Sequence, residues 1–466
     1  MKFLEKLLLA LLGATIIHTS VFAGGPMTNT NQSASFLRSI ARCTSLDPDA
    51  VYNNPAGVVF MENGWHIGIN DQMAAQTRTT TSSLVMGNNL PGGFGTTEFQ
   101  GEVFSPLIPS VHLAWKHDRW AVMAGIGVNG GGGTLEYDNG LASFERIVSS
   151  FPTLLTANGL TTTQYSRDLY LKGSSMTLAF NIGASFRITD WLSAAAMLRV
   201  GVTNNSYEAG LSNMMINPAH PLLNPNGAMI SASQTLSTIG MSQYAALVEQ
   251  GLDVKQKGTS FSPVLALAFH KGPWDASLKY EFKMGTELEI ESAEVSAKDP
   301  VINGIFADGS KVKSETPALL AAAVSRHFGP VKVTAQWHHY FDKDAENSFT
   351  PVIEGNTNEY MLGVEWSITD RLLVSAGTQR TQLNMIESNY SDMNFSISSW
   401  SIGVGAKYII SESVAINAGY MPTIYDEVTV NGSHSFMGQQ LGSFTDVYNR
   451  TSHAWGIGVD LKFGRK

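Results

Sequence analysis

The chain has 466 residues, of which 15% are charged and 43% apolar, with 44 glycines and a formal net charge of −9. That length would ordinarily suggest two or three soluble domains, but a large barrel forms one cooperative unit of the same size. The acidic balance argues against a nucleic-acid partner, and no apolar run reaches the roughly eighteen residues of a membrane-spanning helix.

Lys2 and Lys6 precede an apolar stretch from Leu7 to Ile17, and Val21-Phe22-Ala23 places small residues at the two recognition positions. Residues 1–23 therefore read as a cleavable signal peptide, with the mature chain starting at Gly24. Residues 24–64 lack clear alternation. With Phe36, Leu37, Ile40, Val51 and Tyr52 spread through them they are too apolar for a disordered tail, and a plug inside a lumen is the natural place for them. Cys43 is the sole cysteine, so no internal disulfide forms; it reads as a small packed side chain, against the alternative of a reactive thiol.

From Trp65 onward the sequence alternates. In 453–463, His453, Trp455, Ile457, Val459, Leu461 and Phe463 share one face, and Ala454, Gly456, Gly458, Asp460 and Lys462 the other. Trp274, Ala276, Leu278, Tyr280, Phe282 and Met284 likewise oppose Asp275, Ser277, Lys279, Glu281 and Lys283. The same pattern recurs around Val331–Trp337, Tyr360–Trp366 and Trp400–Tyr408. A lipid-facing exterior and a wet lumen explain these segments together, with aromatics at the interfaces.

Short turns, such as 116–119, 188–190 and 368–370, alternate with long excursions: 77–105, 130–171, 203–257, 285–315, 341–357, 381–394 and 421–450. Six short and seven long connections give an all-β fold, a 14-stranded antiparallel transmembrane β-barrel over 65–466, with both strand ends on the periplasmic side. Two of the long excursions carry helical periodicity. In one, Phe144, Ile147, Val148 and Phe151 recur at three- and four-residue spacing until Pro152 interrupts. In the other, Leu236, Ile239 and Leu247 do the same. These helices either pack over the barrel rim or capture a hydrophobic ligand.

Asp47-Pro48-Asp49-Ala50-Val51-Tyr52-Asn53-Asn54-Pro55-Ala56-Gly57 resembles the N-terminal hatch signature of the FadL family of outer-membrane transporters for long-chain fatty acids and other hydrophobic compounds, including aromatic hydrocarbons. The resemblance extends over essentially the whole mature chain, because the motif stands between an export signal and a fourteen-strand pattern. It implies that Asn54, Pro55 and Ala56 belong to a plug that shifts when ligand arrives, or alternatively form a rigid turn. It further implies a kinked third strand that opens the wall sideways. The candidates there are Gly125, Gly127, Asn129 and Gly130, although Gly125 and Gly127 could equally make room for the plug. One departure is the ending Phe463-Gly464-Arg465-Lys466, where such barrels commonly end on an aromatic residue.

A fatty acid needs an apolar tunnel and a cation or donor for its carboxylate. By parity the lumen-facing basic candidates are Arg199, Lys279 and Lys407, whose alternative is pairing with lumen carboxylates such as Glu281, Glu359 and Glu365. His338 and His339 fall on opposite faces and cannot chelate one metal together. No phosphate loop or nucleophile elbow emerges, so neither catalysis, metal nor cofactor is expected. The expectation is a monomeric, multi-pass protein of a Gram-negative outer membrane, in contact with its lipid and lipopolysaccharide. It takes up a hydrophobic small molecule passively by loop capture, hatch movement and lateral exit. The alternatives are a general porin and a surface receptor or adhesin.

Overall fold

A computed structural model describes residues 31–157, 159–221, 224–240, 242–245, 248–295, 307–346, 354–386, 390–392, 396–436 and 439–464. The expected signal peptide at 1–23, the start of the expected hatch and Leu247 lie outside the described residues.

Fourteen antiparallel strands close into one barrel. In chain order they are β1 Gly64–Met86, β2 Phe94–His117, β3 Trp120–Tyr137, β4 Tyr165–Arg187, β5 Leu192–Ile216 and β6 Gln250–Lys271. Next come β7, in two segments Trp274–Glu281 and Glu287–Val295, and β8, Lys311–Lys313 with Leu319–Phe328. The circuit continues through β9 Val331–Tyr340, β10 Thr357–Ser367, β11 Leu372–Gln382 and β12 Ser399–Ser411. It ends with β13, Val414–Tyr425 extended by Val428–Phe436, and β14 Gln439–Phe463. Each strand pairs with its chain neighbour. β14 returns to β1 in unbroken register from Trp65 opposite Phe463 to Met86 opposite Gly442, so no edge is left to aggregate.

The faces follow the alternation. Trp65, Ile69, Met73, Trp274, Leu278, Tyr360, Trp366, Trp400, Tyr408, Trp455 and Phe463 are exposed outward, while Asn70, His112, Arg199, Glu359, Asn417 and Asp460 are buried inward. An apolar belt that continuous belongs in hydrocarbon rather than water. Met284 is an exception. Expected outward, it is 3% exposed and buried, because the β7 ladder breaks between Glu281 and Glu287 and the parity does not carry across.

The expected excursions are shorter than the sequence implied. β1 and β2 run on to residues 86 and 94, leaving 87–93 between them, and β13 and β14 pair through much of 421–450. Above the apolar belt the outward residues turn polar, as at Thr77, Thr79 and Thr81 on β1. The backbone nonetheless stays in the ladder, where its N–H and C=O groups are satisfied. Alternation in hydropathy marks where lipid ends, not where the strand ends.

The expected hatch lies within the barrel as α1 (Ala34–Ser39), α2 (Ala50–Asn53) and a 3-10 turn, Pro55–Phe60. Ser33 caps α1 by accepting from Phe36 N at 3.1 Å. Wall glycines give it room: a Cβ at Gly377 would stand 2.1 Å from Ser39 O, and one at Gly403 2.5 Å from Leu37 O. The high glycine content is thus partly a lumen lining shaped to a plug.

Candidate functional site

Asn54 sits at φ −143°, ψ 63°, outside the helical region as a residue before proline must be, and Pro55 opens the 3-10 turn. The Asn54 amide donates to Ser45 O at 3.0 Å, and Gly57 leaves space for it, since a Cβ there would meet Asn54 Nδ2 at 2.1 Å. Ala56 is fully buried, and its carbonyl accepts from Ser193 Oγ on β5 at 2.6 Å. The motif therefore fixes one end of the hatch to the wall. At the other end, Ile40 has φ 61°, ψ −53° while Ala41 N donates to Ser39 O at 2.7 Å, a tight turn strained for a β-branched residue.

Between these points lies a buried ionic network that the sequence reading missed. Arg38 and Arg42 both reach Glu365 on β10, at 2.6 and 2.9 Å. Arg42 also grips Asp49 at 2.8 Å and Asp47 at 3.0 Å, within the hatch itself. Arg38 further donates to Asn417 on β13 and Ser375 on β11. Four charges within the twelve residues 38–49 were the available signal.

The three lumen cations expected from the sequence are all engaged. Lys407 pairs with Asp47 of the hatch at 2.7 Å and Asp460 at 3.2 Å. Arg199 and Lys279 share Glu281, Lys279 at 2.7 Å, and Lys279 also donates to the Tyr52 carbonyl at 3.0 Å. Both cations stand over the Tyr52 ring, at 4.8 and 5.1 Å from its centroid. They hold the hatch, so none is a free receptor for a ligand carboxylate in this arrangement. Cys43 is buried with Sγ 3.6 Å from His338 Nε2, while His338 faces Glu359 at 3.1 Å.

The third strand is interrupted. β2 and β3 pair from His117–Trp120 to Ser110–Gly127 and again at Val103–Leu135 and Glu102–Glu136, but residues 104–109 of β2 and 128–134 of β3 form no ladder with each other. Pro106 and Pro109 lack the N–H a ladder needs, and Gly131 and Gly132 adopt φ 71° and 112°, accessible at low cost only to glycine. The β3–β4 register slips at the same level, at Val128/Gly130 and Gly131/Gly133. Val128, on the same parity as the exposed Val122, turns in and is buried. Ser105 Oγ donating to Gly132 O spans the break, and Phe104 and Leu107 beside it stand exposed.

Of the four expected residues, Gly130 lies within the slip. Asn129, 3% exposed, accepts the Tyr52 hydroxyl at 3.1 Å. Gly125 and Gly127 lie below the break and give the hatch room: Cβ atoms there would stand 3.4 Å from Val51 Cγ1 and 2.7 Å from Gln32 Cδ. Tyr52 and Asn129 also line a cavity of about 20 Å³ with Arg199, Glu281, Met284 and Tyr340. That is room for one water.

The loop helices are α3 (Ala142–Val148), α4 (Phe151–Ala157), α5 (Ala232–Thr238) and α6 (Ser242–Ala245). Pro152 does not end a helix but stands in the first turn of α4, where its missing N–H costs nothing. Phe144, Val148, Phe151 and Leu236 are buried in one cluster, and Ile147 and Ile239 pack against it. Their apolar faces pack against one another over the rim. Arg146 ties this lid to Asp446 on β14 at 2.8 Å.

No protein-family model and no curated relative matches the sequence. Solved structures do. A FadL homologue of Pseudomonas aeruginosa superposes with a TM-score of 0.68 at 14% identity, covering 94% of this chain and 100% of its own. The toluene transporter TodX of Pseudomonas putida matches at 0.54 and 14% identity over 95% and 98% of the two chains. TbuX, a toluene transporter of Ralstonia pickettii, matches at 0.52 and 13% identity over 94% and 98%. The fold is that of the FadL-type channels.

Proposed function

We propose that this protein is a passive outer-membrane channel for hydrophobic molecules, with long-chain fatty acids as the cargo class. The observation that carries this reading is the interrupted β2–β3 ladder. Unpaired backbone in a barrel wall is costly, and such interruptions of a ladder are over-represented at functional sites. This break lies within an apolar exterior and touches the hatch through Tyr52 and Asn129.

In the reading, the lid formed by α3 to α6 parts to admit a hydrophobic molecule, whose contacts are Phe144, Ile147, Val148, Phe151, Leu236 and Ile239. Ligand in the upper lumen shifts the hatch around Asn54, Pro55 and Ala56. Because Tyr52 joins the hatch to Asn129, that shift loosens the β3 break, and the molecule leaves sideways into lipid. The driving force is partition into hydrocarbon, and the gating comes from tighter ligand binding to the displaced state. No catalytic step is involved.

The test compares outer-membrane vesicles with and without the protein for uptake of labelled oleate and toluene. Faster uptake of oleate supports the reading; faster uptake of toluene alone overturns the cargo class, and uptake of both that is equal with and without the protein refutes the channel.

A further inference from the structure

Six short turns close one end of the barrel, which in outer-membrane barrels is the periplasmic end. Four of them carry a carboxylate: Asp118, Asp190, Asp370 and Glu412. The two that do not, Gly272-Pro273 and Gly329-Pro330, are neighbours, because the strands β7 and β8 between them pair directly. On the outward face of this sector stand two cations. Lys271, the last residue of β6, and Arg326 on β8 are both exposed, and both lie opposite Trp274 of β7 in the ladder.

Neither has an anionic partner. Among the described residues the Arg326 guanidinium meets only rings, lying 4.9 Å from the centroid of Trp274 and 4.7 Å from that of Phe328. A ring covers a face of a guanidinium and leaves its N–H edge unfilled. The Lys271 side chain forms no hydrogen bond or ion pair among the described residues. Asp275, the carboxylate beside them in sequence, faces inward instead, buried and held by His270 at 2.6 Å and His327 at 3.1 Å. Towards the middle of the belt the outward neighbours are apolar. Phe269, Ala276 and Val324 form the next row of ladder partners, and beyond them Leu267 and Leu278 are exposed. Two unpaired cations among interfacial aromatics, at the edge of a hydrocarbon belt, stand at the depth of lipid phosphates.

We propose that Arg326 and Lys271, with Trp274, bind the headgroup of an anionic phospholipid of the periplasmic leaflet. The Arg326 fork takes two phosphate oxygens, and Lys271 adds its charge from the other side of Trp274. An acyl chain runs over the small Ala276, between Phe269 and Val324. An anionic headgroup is favoured over a zwitterionic one because neither adjoining turn offers a carboxylate to balance the two cations or to meet a headgroup amine. The inference needs only a barrel in an outer membrane and is independent of what passes through the lumen.

Native mass spectrometry of the purified protein in a non-ionic detergent, with equal amounts of dioleoyl phosphatidylglycerol and dioleoyl phosphatidylcholine, tests the site. The wild type should retain phosphatidylglycerol in preference, and Arg326→Gln combined with Lys271→Gln should cut that preference by about tenfold. Both side chains are exposed, so the variant should keep the heat-resistant migration of a folded barrel. Arg326→Lys, which keeps the charge but not the fork, should retain part of the preference and serves where the double variant does not fold. A wild type that binds the two lipids equally, or a preference untouched in the folded variants, overturns the proposal. Loss of lipid A binding alone in the double variant also overturns it, by placing the ligand in the other leaflet.

Discussion

The Tyr52 hydroxyl of the hatch donates to Asn129 Oδ1 at 3.1 Å, where the β3 ladder fails. One hydrogen bond thus links the hatch to the interrupted part of the wall. Tyr52→Phe keeps the ring beneath Arg199 and Lys279 but removes the link. The expected result is a loss of about 1 kcal/mol in stability, with faster uptake because the hatch no longer restrains the break. Thermal unfolding and vesicle uptake on one preparation check both; slower uptake would argue that the bond transmits opening rather than resists it.

Glu365 is the only wall carboxylate that Arg38 and Arg42 share among the described residues. Glu365→Gln leaves both guanidiniums buried with less compensation, and removing one partner of a buried pair costs roughly 3–5 kcal/mol. The barrel's own ladders are untouched. Proteolysis should therefore cut the segment 34–60 in the variant while the barrel keeps its heat-resistant migration on gels. A hatch as protected as in the wild type would show that Asp47 and Asp49 suffice.

Asp342, in the short helical turn after β9, is pushed up by burial to about 6, although it accepts from Thr357 N at 2.7 Å. A folded-state value above the unfolded one means the native state holds the proton more firmly. Stability from this group is full below the ordinary value of 3.8 and is lost as pH rises through about 6. Asp342→Asn should consequently raise the melting temperature at pH 7.5 and leave it nearly unchanged near pH 4. An equal gain at both values would locate the effect elsewhere.

The strand count, the faces and the place of the hatch were legible because lipid imposes a period of two and the motif 47–57 stands ahead of it. Length of strand was not: Thr77, Thr79 and Thr81 lose the apolar signal while the ladder continues to Met86. The lid helices were legible from Phe144 to Phe151, but not that their apolar faces bury each other. Nor could parity tell that Lys407 meets Asp47 across 360 residues of sequence. Partner choice across a barrel depends on register, which no local pattern carries.

The break can be closed chemically. A Cβ at Gly133 would lie 3.6 Å from Ser105 Cβ, within the roughly 3.5–4.5 Å that a disulfide needs. It would also stand 2.5 Å from Val103 Cγ1, so Ser105→Cys and Gly133→Cys are best combined with Val103→Ala. Cys43 is buried against His338 and does not compete. If cargo leaves through the wall, the oxidised variant should fall to background uptake, and reductant should restore it. If oxidised and reduced proteins transport oleate equally, the exit lies elsewhere, and the β2–β3 break serves only to make space for Tyr52 and Asn129.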